Sequence, residues 1–111
     1  MLEEVEFRKL TETALSSLLQ HLIRREEADD SNFEVEEQGG VLNVVFEEPP
    51  GKFVITPNAP VRQIWISALS TSFKLDWDSA ANDFVLPSSR QTITQLIQDA
   101  IGQQLGEEVS L

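Results

Sequence analysis

Residues 60–67 have the sequence Pro-Val-Arg-Gln-Ile-Trp-Ile-Ser, in which Ile64 and Ile66 alternate with other side chains. Successive side chains of a β-strand point to opposite faces of the sheet, so this alternation predicts a strand. If the two isoleucines face the core, the indole of Trp65 lies on the hydrated face. Large aromatic side chains in such positions often anchor contacts with partner proteins. The alternative is that a loop covers Trp65, or that it only pairs across strands.

Amphipathic helices are predicted at both ends of the chain. The first covers residues 2 to about 25, and the second begins at residues 87–89 and ends before Gly106. Ser88 and Gln91 have the spacing of a capping box, which predicts that Ser88 caps the second helix. Each helix has one apolar face. These faces consist of Phe7, Leu10, Ala14, Leu15, Leu18, Leu19 and Leu22 in the first helix, and of Ile93, Leu96, Ile97, Ala100, Ile101 and Leu105 in the second.

Short runs of β-branched and aromatic residues between the helices predict a sheet. Short turns join consecutive strands, which forces antiparallel pairing. Two helices with one apolar face each can cover one face of the sheet and leave the other hydrated. The predicted fold is an α+β two-layer sandwich, with N- and C-terminal helices packed on one face of an antiparallel β-sheet, in a single domain of residues 1–111. The predicted strands are residues 33–36, 41–46, 52–56, 62–67, 73–77 and 83–86.

The composition excludes several classes of protein. The 111 residues contain no cysteine, which excludes disulfides, thiolate nucleophiles and cysteine-ligated metal sites. The formal net charge of −11 repels nucleic acid and favours cations or basic protein surfaces. No stretch predicts a membrane span, a signal peptide or an Arg-rich transit segment, so we expect a chain that is not imported or is already processed. A catalytic triad would require His21, the one histidine, which lies at the edge of an apolar stripe.

Acidic residues are concentrated in the first half of the chain, where 13 of the 19 lie within residues 1–48. Hard cations such as Fe²⁺, Mn²⁺ or Ca²⁺ bind several converging oxygen ligands. A ridge of separate carboxylates would bind them weakly, through few protein ligands and many waters. The alternative is a solvated surface without a metal role. The densest group, which we take as the candidate metal site, is Glu26, Glu27, Asp29, Asp30, Glu34, Glu36 and Glu37.

The hydrated face of the sheet is the second candidate surface. An exposed Trp flanked by amide, hydroxyl and amine groups resembles an interface hot spot with a polar rim. We therefore predict a partner-binding surface formed by Asn58, Gln63, Trp65, Ser67 and Lys74.

Three segments of the chain resemble the central sheet of frataxins: Phe53-Val54-Ile55, Asn58-Ala59-Pro60-Val61-Arg62-Gln63-Ile64-Trp65-Ile66-Ser67 and Lys74-Leu75-Asp76-Trp77. The Gly39-Gly40-Val41-Leu42-Asn43-Val44 segment resembles the preceding hairpin, and residues 106–111 resemble the tail of bacterial members. The resemblance covers the chain from about Glu6 onward and implies an α–β(5–7)–α fold.

This resemblance also implies a function. Frataxins have an acidic ridge that binds iron, Fe²⁺ or Fe³⁺, weakly, and other divalent cations are open alternatives. Their sheet face meets the cysteine desulfurase and its iron–sulfur scaffold protein. Three departures concern these surfaces. Thr56 stands where eukaryotic members usually have Asn, and Lys74 where they often have Arg. The part of the first helix that would extend the ridge carries Gln20, His21, Arg24 and Arg25.

We therefore expect an iron-binding protein of iron–sulfur cluster assembly that regulates the desulfurase complex and delivers Fe²⁺. A ferroxidase or iron-storage protein is one alternative, with weak ferroxidase activity implied by the resemblance; an acidic interaction module without a metal role is another. We expect a monomer, with iron-dependent oligomers left open, and no nucleic-acid or membrane partner. The expected location is the mitochondrial matrix, with the bacterial cytoplasm as the alternative.

Overall fold

The computed structural model describes residues 2–27, 33–47, 49–106, 109 and 111. Within these residues the chain forms two α-helices, seven strands and one 3₁₀ turn, Ala59–Val61. Helix α1 spans Glu4–Glu27 and helix α2 spans Ile93–Leu105. The strands are β1 (Phe33–Gln38), β2 (Val41–Glu47), β3 (Pro50–Asn58), β4 (Gln63–Ala68), β5 (Thr71–Asp78), β6 (Asp83–Leu86) and β7 (Gln91–Thr92).

The seven strands form one sheet in chain order, and every neighbouring pair is antiparallel. Both helices pack on the same face of this sheet, because their apolar side chains share one core with alternate residues of β1–β6. The predicted α+β two-layer sandwich is therefore confirmed. Its most deeply buried side chains include Phe7, Leu18 and Leu22 of α1, Leu42, Phe53, Ile55, Ile64, Ile66, Leu75 and Phe84 of the strands, and Ile93 and Ile97 of α2.

The β4 strand has the predicted orientation. Ile64 and Ile66 are 0% and 1% exposed and lie in the core. Trp65 lies between them in sequence and points to the opposite, helix-free face, where it is half-buried. The indole is therefore outside the core, as the alternation predicts, although its neighbours cover part of the ring.

The start of the second helix differs from the prediction. Residues 87–90 form a turn, in which Leu86 O accepts hydrogen bonds from Arg90 N at 2.8 Å and Ser89 N at 3.3 Å. Gln91 and Thr92 then pair with β6 as the short strand β7. The predicted Ser88 cap is wrong because this added strand delays the helix, and Thr92 caps it in a capping box with Gln95.

Four strands, β1, β2, β3 and β5, are longer than predicted, and the largest extensions, in β3 and β5, occur where the turns beside them are tighter. β5 begins at Thr71, whereas the predicted strands leave residues 68–72 as the connection. The β4–β5 connection is instead the pair Leu69 and Ser70, with φ of 55° and 60°. Two consecutive positive φ values are typical of a type I′ turn, whose twist matches that of the strands it joins. β3 likewise extends beyond the predicted residues 52–56 and spans Pro50–Asn58.

The two described residues after Gly106 contact the core. Val109 and Leu111 pack against the core cluster, and Leu111 N donates a hydrogen bond to Gln98 Oε1 at 3.0 Å. Among the described residues, no helix is long and apolar enough to cross a membrane.

Candidate functional site

The five residues of the predicted partner-binding surface share the helix-free face of the sheet. Cross-strand register places Asn58 beside Gln63 and Trp65 beside Lys74, and side chains in register point to the same face. Ser67 follows Trp65 by two positions and is exposed. The structure therefore brings these residues together, and we call the surface that they form the Trp65 face.

Trp65 is held by a directional chain of hydrogen bonds. Its Nε1 donates to Gln63 Oε1 at 2.9 Å, and Gln63 Nε2 donates to Asp76 Oδ1 at 3.0 Å. An ionised carboxylate can only accept, so Asp76 requires the NH₂ group of Gln63 to face it. The amide oxygen must then face the indole. Asp76 was absent from the predicted surface, because only the β4–β5 register places it opposite Gln63.

Lys74 completes the environment of the indole. Its Nζ lies 4.9 Å from the centroid of the Trp65 ring, within the range of a cation–π interaction. Lys74 itself is exposed. The Trp65 ring therefore has two contacts on the surface of the sheet. Gln63 accepts its N–H, and the ammonium group of the exposed Lys74 lies near the ring.

Half-buried apolar residues extend the Trp65 face towards the β1 edge. Thr56 lies opposite Trp65, and Val54 pairs with Ser67 on one side and Asn43 on the other. Val41 and Val45 flank Asn43 on the same face of β2 by the strand alternation. These valines were not predicted as part of the surface, because the strand pattern alone did not assign a face to each residue of β2. They give the surface an apolar centre with a polar rim.

Glu26, at the end of α1, has a structural contact of its own. Its Oε2 accepts a hydrogen bond from Val35 N at 2.7 Å. Because β1 is an edge strand, this carboxylate satisfies a backbone N–H that no neighbouring strand can take. The contact ties the end of α1 to the edge of the sheet.

The other predicted metal ligands lie on different surfaces. Glu34 and Glu36 are exposed on the helix-free face of β1, whereas Glu37 points to the helix side and accepts from Gly40 N at 3.3 Å. Glu27 is exposed in the last turn of α1. Asp29 and Asp30 lie outside the described residues. Within the described part of the chain, no three His, Asp or Glu side chains converge as a metal site.

His21 has a positively charged neighbour, Arg24. His21 is half-buried, and its Nδ1 lies 3.2 Å from Nη2 of Arg24. A guanidinium in contact with the ring disfavours a second cation there. The Nδ1 of His21 is therefore already engaged by Arg24.

Comparison with known proteins identifies relatives over nearly the whole chain. The family model of the frataxin-like domain matches residues 1–107. The iron-sulfur cluster assembly protein CyaY of Azotobacter vinelandii is 31% identical over 104 residues, which cover 90% of this chain and 94% of that protein. The protein of the same name from Pseudomonas aeruginosa is 34% identical over 80 residues, covering 72% of this chain and 73% of that protein.

A solved structure has the same fold. Frataxin from Psychromonas ingrahamii matches with a TM-score of 0.76 and 21% sequence identity, covering 98% of this chain and 97% of that one. At this identity the likeness concerns the fold alone, which is the two-layer arrangement described above.

Proposed function

We propose that this chain acts in the assembly of iron–sulfur clusters, because it belongs to the frataxin-like family. Two bacterial relatives that it matches over most of their length carry this role in their names. The proposal has two parts, a docking surface for the assembly machinery and a weak site for its iron. Each part rests on different residues and is tested separately.

The docking partner is the complex of a cysteine desulfurase with its iron–sulfur scaffold protein, and it binds at the Trp65 face. One observation supports this assignment most directly: a half-buried indole is held by Gln63 on a helix-free face with an apolar centre and a polar rim. Trp is the residue type most enriched in interface hot spots, and a ring that is already oriented loses little conformational freedom on binding.

The chain acts on sulfur transfer by contact rather than by carrying sulfur. Its 111 residues contain no cysteine, so they hold no persulfide of their own. Docking on the desulfurase complex would instead alter how the complex moves or positions its sulfur-bearing groups.

Iron is the cargo of the second part. Glu34 and Glu36 project from the same face of β1, separated by one residue, and both are exposed. Two carboxylates on an exposed strand hold a hydrated Fe²⁺ through few direct ligands, so binding is weak and release is easy. Glu27 is the third candidate, while Glu26 already accepts the Val35 N–H.

Calorimetric titration of the chain into the desulfurase–scaffold complex tests the docking surface. We expect Trp65→Ala to weaken binding by about 2 kcal/mol, or about 30-fold in Kd, with an unchanged fold. Val5→Ala is the matched control because Val5 is 64% exposed on α1, on the helix layer. Equal affinities for wild type and Trp65→Ala would refute the docking surface.

Amide NMR spectra recorded during anaerobic Fe²⁺ titration test the iron site. We expect the resonances of Glu34 and Glu36 to shift or broaden, and the double variant Glu34→Gln, Glu36→Gln to lose this response. Glu12→Gln with Asp99→Asn is a control with the same charge change elsewhere. Unchanged resonances at Glu34 and Glu36 would exclude this iron site and favour an interaction module without a metal role.

The bacterial relatives also bear on location. The named relatives come from Azotobacter and Pseudomonas species. We propose the bacterial cytoplasm in place of the mitochondrial matrix, because these relatives are bacterial proteins.

A further inference from the structure

A groove lies between α1 and the ends of β1–β3, on the helix side of the sheet. Its volume is about 360 Å³, near the lower end for sites that bind small molecules. None of its lining residues belongs to the Trp65 face. The groove is lined by Glu12, Leu15, Ser16, Leu19, Glu37, Gly40, Leu42 and Pro57.

Apolar side chains form the floor of the groove. Leu15 and Leu42 are 7% and 1% exposed, and Leu19 and Pro57 are half-buried. Such a floor favours a ligand with methylene groups, because their burial removes apolar surface from water. A hydrated metal ion gains nothing from it.

Two carboxylates form the rim, one on each side. Glu12 belongs to α1 and Glu37 to β1, and both are exposed. The Gly40 N–H donates to Glu37 and ties this carboxylate to the hairpin turn beside the groove. None of the eight lining residues carries a positive charge, so the field within the groove favours cations.

We propose that this groove binds an aliphatic diamine. The two ammonium groups pair with Glu12 and Glu37, and the methylene chain between them lies on Leu15, Leu19 and Leu42. Primary amines are protonated at neutral pH, as the lysine side chain is. A diamine is the simplest ligand that combines two separated positive charges with an apolar middle, which is the complement of two carboxylates above an apolar floor.

Amide NMR titration with a series of unbranched diamines, from 1,4-diaminobutane to 1,8-diaminooctane, tests the proposal on the full chain. We expect shifts concentrated at Leu19, Gly40 and Leu42, and a Kd on the order of 1 mM for the best member. Affinity should depend on chain length, because one length spans the two carboxylates best. Hexylamine and Mg²⁺, which lack the second charge and the methylene chain respectively, should bind more weakly and shift these amides less.

Charge-neutralising variants separate this site from general attraction to an acidic protein. Glu12→Gln and Glu37→Gln should each raise the Kd about two- to fivefold, the amount that one exposed ion pair contributes. Gln at position 37 retains an oxygen that can accept the Gly40 N–H. Glu47→Gln is the matched control, since Glu47 is an exposed glutamate on β2 that does not line the groove. Diffuse shifts, no dependence on chain length, or equal weakening in all three variants would overturn the proposal.

Discussion

The indole N–H of Trp65 donates a hydrogen bond to the side-chain oxygen of Gln63, 2.9 Å away and two residues earlier on β4. Both side chains lie on the helix-free face, where Asp76 holds the other end of the Gln63 amide at 3.0 Å. The ring therefore has a fixed orientation before any partner arrives. Such preorganisation reduces the entropy lost on binding.

Asp76→Asn should loosen the orientation of Trp65. Asn can donate as well as accept, so it no longer forces the Gln63 amide oxygen towards the indole. We expect a shifted Trp65 Nε1–H resonance in the free protein and three- to tenfold weaker partner binding, roughly the contribution of one hydrogen bond. Asp99→Asn, the same change at an exposed site on α2, is the control. An unchanged indole resonance would show that Asp76 has no role in positioning the ring.

Glu26→Ala should loosen the edge of the sheet. The variant removes the acceptor of Val35 N, which solvent replaces in part, and we expect a loss of about 1–2 kcal/mol in the free energy of unfolding. Hydrogen exchange at the Val35 amide should accelerate more than exchange at the core amides of β4. Glu27→Ala, in the same helical turn and exposed, should leave both quantities unchanged. If it matches Glu26→Ala, the effect is one of charge and not of this bond.

Thr92→Ala should destabilise the protein by about 1 kcal/mol, because Thr92 caps α2 by accepting from Gln95 N at 3.3 Å. Ser88→Ala should change stability by less than about 0.5 kcal/mol, since Ser88 is exposed in the preceding turn. Urea unfolding of both variants checks this. A larger loss of stability in Ser88→Ala than in Thr92→Ala would instead support the predicted helix start at residues 87–89.

Asp83→Asn should stabilise the protein more at pH 7 than at pH 3. Burial raises the pKa of Asp83 above its ordinary value, against an opposing hydrogen bond from Phe84 N at 2.8 Å. The folded state therefore binds this proton more tightly than the unfolded chain, and stability declines as the pH rises through the two pKa values. Asn removes this penalty and retains an acceptor for Phe84 N. Urea unfolding at both pH values measures the difference, with Asp99→Asn as an exposed control; no pH dependence in that difference would contradict the prediction.

Local patterns in the sequence determined which face each β4 side chain occupies. The alternation of Ile64 and Ile66 identified the buried face, and so left Trp65 outside the core. Helical spacing identified both helices, and the strand-and-turn pattern gave the antiparallel sheet. These features are predictable because side-chain direction repeats every two residues in a strand and every 3.6 in a helix, whatever the rest of the chain does.

Only the tertiary structure decided which distant residues meet. Asp76 reaches Gln63 through the β4–β5 register, Glu26 reaches Val35 across the junction of α1 and β1, and Glu12 shares a groove with Glu37. A hydrophobicity pattern does not determine the distances between charged surface side chains, because many registers and turn lengths bury the same apolar residues. Turn geometry and helix packing select one of them, and that selection divides the acidic residues among the edge contact, the helix-free face and the groove.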